Sequence, residues 1–88
     1  MKIKANYVIK TIKDEFVVVP IKDEALRFRG IITLNNTAKF IFETLKNANL
    51  DKHELLELML EKYDADKGLL EKDIDNFVKI LEENDLLE

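Results

Sequence analysis

One imidazole, no thiol and three close pairs of carboxylates are the side chains whose chemistry comes first. An imidazole that acts as a general base needs a nucleophile within reach and an acid to orient it. His53 instead lies between Lys52 and Glu54 in the opening turn of a predicted helix, the setting of a solvated surface histidine. A structural or catalytic zinc site needs several histidines or thiolates, and this chain offers one His and no Cys. The acid pairs are Asp64 with Asp66, Asp73 with Asp75, and Glu82 with Glu83. Neighbouring or alternate acids on helices form solvated faces. Asp64–Asp66 resembles the start of a calcium loop but lacks the later glycine and bidentate glutamate. Gly30 and Gly68 stand alone, so there is no glycine-rich phosphate cradle. The side-chain inventory predicts no catalytic residue, no metal ligand and no cofactor, and it disfavours an enzyme.

Eighty-eight residues make one domain, 1–88. So short a chain buries only a little over ~60% of the surface it exposes when unfolded, which disfavours a deep enzymatic cleft. No run of about 18 apolar residues is present, and Met1 to Asn6 lacks the apolar centre of a secretory signal. The expectation is a cytoplasmic protein with no membrane partner. The net charge of −4 is unevenly spread. Residues 1–44 hold eight basic and five acidic side chains, net +3, whereas residues 45–88 hold six and thirteen, net −7.

The apolar pattern changes at Gly30-Ile31-Ile32-Thr33-Leu34-Asn35. Before it come short β-branched bursts, predicting strands over about 7–12 and 15–20, with Lys13-Asp14 as the break and Pro20 as the end. Residues 31–34 predict a third strand. After it the apolar residues recur at helical spacing, predicting helices over about 36–47, 52–63 and 68–84. Asn35, Asn36 or Thr37 can cap the first helix. Asp51 with Glu54 forms a capping box for the second, with Leu50 able to staple to Leu55. The expected apolar stripes are Ala38, Ile41, Phe42 and Leu45; Leu55, Leu58, Met59 and Tyr63, widened by Leu56 and Leu60; and Leu70, Ile74, Phe77, Val78 and Leu81. Leu86 and Leu87 should fold back onto the bundle. The fold class is α+β, winged helix-turn-helix-like: a three-stranded antiparallel sheet followed by a three-helix bundle.

A winged-helix architecture raises nucleic-acid binding, but a recognition helix needs positive charge. The third helix sets Lys72 and Lys79 against Glu71, Asp73, Asp75, Glu82 and Glu83, so nucleic acid is not the expected partner. A peptide or protein partner is better supported. The third strand can lie at an open sheet edge. At about 100° per residue, Ile80 falls about 100° from the stripe centre near Ile74 and Leu81. Phe77, Leu69, Asp73 and Asn76 share its flank. That flank beside a free strand edge makes a groove for an extended segment. Alternatively, Ile80 and Leu69 pack under the N-terminal tail or the 21–30 loop.

In order and spacing these segments resemble the PqqD family, from about Tyr7 to Leu87. The matching pieces are Val17-Val18-Val19-Pro20; the glycine-led strand into Leu34-Asn35-Asn36-Thr37-Ala38-Lys39-Phe40-Ile41-Phe42; Asp51 to Glu54 with Tyr63-Asp64; Asp73-Ile74; and Leu86-Leu87. The resemblance implies a recognition element, or peptide chaperone, for the leader of a ribosomally made precursor peptide. The leader would add as a strand against the third strand and lie beside the third helix. The protein would then present it to a modifying enzyme, often a radical S-adenosylmethionine enzyme. Carried over by position, the peptide-binding residues are Gly30, Ile31, Ile32, Thr33 and Leu34 on the strand, and Asp73, Asn76, Phe77 and Ile80 on the helix. Phe42 stands where tryptophan is common, which implies a product other than pyrroloquinoline quinone. The alternatives are a winged-helix nucleic-acid binder and a generic protein-adaptor domain.

Overall fold

Two β-branched runs separated by a two-residue polar break form a hairpin. In the computed structural model, which describes residues 1–21 and 31–88, β1 (Tyr7–Ile12) and β2 (Glu15–Pro20) pair antiparallel from Tyr7↔Pro20 to Ile12↔Glu15. Lys13 makes the turn at φ 58°, a left-handed conformation that hairpins use because its twist matches the strands. β3 (Thr33–Leu34) pairs with the other side of β2, at Phe16↔Leu34 and Val17↔Thr33. The sheet order is β1-β2-β3, with β2 central. The third strand is therefore shorter than the expected 31–34. Beyond Thr33 one more ladder bond forms, from Val18 N–H to Ile32 O at 3.0 Å, and Ile31 is already 82% exposed.

Three helices follow: α1 (Asn36–Asn47), α2 (Lys52–Lys62) and α3 (Lys67–Glu83). Each is started by a side chain that accepts a bond from an orphan amide. Asn35 accepts from Ala38 N–H at 2.8 Å, Asp51 from Glu54 N–H at 2.8 Å, and Asp66 from Leu69 N–H at 3.2 Å. At α2 the box is reciprocal, because Glu54 accepts from Asp51 N–H at 3.1 Å. Asp51→Ala should therefore lower stability by about 1 kcal/mol in a urea titration.

α3 ends in a Schellman motif. Leu86 N–H donates to Leu81 O at 2.9 Å and Asp85 N–H to Glu82 O at 3.1 Å. Leu86 and Leu81 are both fully buried, supplying the hydrophobic contact that accompanies this cap. Asp85 occupies the left-handed position at φ 59°. Glycine tolerates that conformation without the Cβ clash. Asp85→Gly should raise the melting temperature by a few degrees, corresponding to roughly 0.5–1 kcal/mol, despite losing an exposed ion pair with Lys4 at 3.0 Å.

One core joins the layers. The inner sheet face gives Tyr7, Val18, Ile32 and Leu34. The helices give Ile41, Phe42 and Leu45; Leu55, Leu56 and Met59; and Leu70, Ile74, Phe77 and Leu81. Leu58, expected in the α2 stripe, is 39% exposed, while Leu56 is buried. With leucines at 55, 56, 58 and 60, several stripes are available, and packing against α3 selects the one through Leu56. The chain start is also structural. Ile3 is buried and bridges to Leu87. Its amide donates to Leu45 O, and Lys4 N–H donates to Leu86 O, both at 2.9 Å.

Candidate functional site

The hydrogen-bonding alternation of an antiparallel pair decides which main-chain groups of β3 face outward. Val18 N–H donates to Ile32 O, so Ile32, and two residues on Leu34, direct their main-chain groups at β2. Thr33, between them, directs its N–H and C=O away. Among the described residues no strand pairs with this outer edge. β1 also has an outer edge, but it is guarded. Lys46 Nζ donates to the carbonyls of Ala5 (2.8 Å) and Tyr7, and Lys10 and Lys13 are exposed along it. Charged side chains of this kind deter strand addition.

The outer edge of β3 borders a groove of about 210 Å³. Thr33 forms one wall and α3 the other, through Asp73, Asn76, Phe77 and Ile80. Asn35, Thr37, Ala38 and Ile41, at the start of α1, close its end. The apolar lining is Ala38, Ile41, Phe77 and Ile80; Ile41 and Phe77 are buried and Ile80 is 40% exposed. The polar lining is neutral except for Asp73, which is half-buried. Among the described residues no cation pairs with the Asp73 carboxylate.

Five of the nine expected site residues thus meet at one groove: Thr33, Asp73, Asn76, Phe77 and Ile80. The side chains of Ile32 and Leu34 do not take part; they are 7% and 4% exposed and sit in the core. Ile31 projects from the strand end rather than from the strand itself. Gly30 lies outside the described residues. The contribution of α1 was not foreseen from the sequence. Ala38 and Ile41 read as ordinary stripe residues, and no local pattern places that stripe's edge against α3.

A larger, more open hollow of about 560 Å³ lies between α1 and the end of α2, lined by Phe40, Tyr63, Lys39 and Lys62 among others. Phe40 and Tyr63 meet edge to face at 5.8 Å. Lys62 lies 4.8 Å from the Phe40 centroid, and Lys39 lies 4.3 Å from that of Phe16. Its cations are already engaged with rings, and it has no free strand edge. The groove at β3 is therefore the better candidate.

No arrangement for catalysis is visible at the groove. His53 is exposed and approaches Glu57 at 3.9 Å. Among the described residues Lys46 and Lys52 have displaced pKa values. Partial burial lowers that of Lys46, and the hydrogen bond with Asp75 raises that of Lys52; neither lines the groove. Among the described residues no group of three or more His, Cys, Asp or Glu side chains could hold a metal ion. No described helix is long and apolar enough to cross a membrane.

Fold and groove together define a small α+β module whose outer strand edge, beside a helix, is paired by no other described strand. A family model described as coenzyme PQQ synthesis protein D (PqqD) matches residues 15–87, and the chain belongs to that family. The fold is also that of a solved structure titled "TbiB1 in Complex with the TbiA(beta) Leader Peptide", at TM-score 0.72 and 24% identity, covering 100% of this chain and 95% of that one. Among the curated proteins none matches the chain.

Proposed function

We propose that this protein binds the leader segment of a ribosomally synthesised precursor peptide as an added strand on β3 and presents it to a modifying enzyme of the radical S-adenosylmethionine class. The observation that carries the reading is the outward edge of Thr33 facing α3 across a groove, in a member of the PqqD family. The fold neighbour, which was solved with a leader peptide, adds support. Acting in the cytoplasm, the protein itself would supply no catalytic residue.

Main-chain bonds to Thr33 fix the peptide's direction and register, and the groove selects side chains. Each bond contributes about 0.5–1.5 kcal/mol net. Each fully buried apolar side chain contributes about 1.5–3 kcal/mol. Ordering a flexible segment costs about 2–5 kcal/mol or more. Micromolar affinity, about −8 kcal/mol, would therefore need several buried side chains along the peptide in addition to the two main-chain bonds at Thr33. Modification gains because tethering raises the effective concentration of the core peptide at the enzyme.

The test starts with a random twelve-residue display library selected on the immobilised protein. A selected peptide is then titrated into the ¹⁵N-labelled protein. The expected amide shifts are at Thr33 and along α3 at Asp73, Asn76 and Ile80. Shifts confined to the α1–α2 hollow would overturn the reading. Ile80→Gln should weaken the selected peptide several-fold or more, since it puts a neutral polar group in place of apolar surface that the ligand side chain or its stem would cover. Its melting temperature should barely move, because Ile80 is 40% exposed.

A further inference from the structure

Resting on that reading, we propose that Asp73 makes the groove select a lysine or arginine in the bound peptide. Three observations converge. The cavity, about 210 Å³, has room for one long side chain. Its apolar lining, from Ala38, Ile41, Phe77 and Ile80, offers a floor for that side chain. Among the described residues its single charged lining group is the half-buried carboxylate of Asp73, which pairs with no described cation.

A leucine or phenylalanine would cover the floor, but it would also strip water from Asp73 without replacing it, and an unpaired carboxylate resists desolvation. A lysine or arginine satisfies both parts. Its methylene stem lies on the floor while its cationic head reaches the acid. An acidic peptide residue would be repelled there, and the net charge of −7 over residues 45–88 adds repulsion at longer range. Asn76, a neutral polar lining group three residues on along the same helix, can accept a remaining donor of either cation. A second copy of this chain is a poor occupant. A two-fold contact would offer each groove the partner's own β3, whose described edge residues Ile31 and Thr33 carry no charge.

The experiment uses the same display library on the wild-type protein and on Asp73→Asn and Asp73→Lys. Wild-type selection should yield peptides with Lys or Arg at one fixed position relative to their apolar residues. Asp73→Asn should bind such a peptide ~10-fold more weakly and select no charge at that position. Asp73→Lys should select Asp or Glu there. The basic residue of one selected peptide is then replaced by methionine. That change should weaken binding to the wild type but leave binding to Asp73→Asn nearly unaltered.

Selection of tight binders with no preferred basic position would overturn the inference and leave the peptide-binding reading standing. So would an Asp73→Asn loss that is the same with and without the basic residue. Failure to select any peptide would bring down the reading beneath it. Selected peptides that bind Thr33→Pro as well as wild type would do the same.

Discussion

Thr33→Pro is expected to reduce affinity for a selected peptide by ~30-fold or more, equivalent to about 2 kcal/mol, while leaving the helical circular dichroism signal intact. The argument rests on alternation along β3. Thr33 is exposed, and its amide points away from β2, because the neighbouring Ile32 carbonyl accepts from Val18 N–H. Proline at 33 therefore removes no bond of the existing ladder, as edge strands allow. It does remove the outward donor an added strand would use, and it places a ring in that strand's path. The same substitution at Ile32 is a different experiment. Ile32 is 7% exposed and lies in the core, so proline there attacks the sheet itself. Thr33→Val is the control: it keeps the amide and the branched shape and should bind nearly as wild type. Isothermal titration of all three variants, with melting curves alongside, separates edge chemistry from folding. Unchanged affinity in Thr33→Pro would exclude strand addition at β3.

The contrast between Thr33 and Ile32 also indicates how far the sequence could be read. Order and class of the elements are written locally. Lys13-Asp14, Pro20, Asn35 and Asp51 are each sufficient to stop or start an element through turn geometry, a missing donor or a capping oxygen. The length of β3 is not local. It depends on where β2 stops offering partners, and the pairing extends from Leu34 only to the single Val18–Ile32 bond. The α3 side of the groove was legible because Ile80 lies too far from the helix's buried stripe to be fully buried. The α1 side was not, since whether Ala38 and Ile41 border a cavity depends on how α1 crosses α3. Ile3 was missed for a related reason. One apolar residue between Lys2 and Lys4 carries no periodic signal, and its burial arises from contacts with residues more than forty positions away, at Leu45 and Leu87.

Phe77 belongs to core and groove at once, and comparison with Ile74 tests that double role. Both lie on α3, at 5% and 0% exposure, but only Phe77 lines the groove. Phe77→Ala should destabilise the fold by about 3–5 kcal/mol and Ile74→Ala by about 2–5 kcal/mol, from lost transfer energy and the cavity left behind. A chain of this size holds about 4–13 kcal/mol in total, so either loss is a large fraction and both urea midpoints should fall sharply. Binding should separate the two. At low temperature and without denaturant, where each variant retains its circular dichroism spectrum, Ile74→Ala should bind a selected peptide within a few-fold of wild type. Phe77→Ala removes the floor on which the ligand side chain rests and should lose ~10-fold or more beyond any unfolded fraction. If both variants lost affinity equally, Phe77 would act on the peptide only by holding α3 in place. The groove would then be a by-product of packing rather than the surface that reads the peptide.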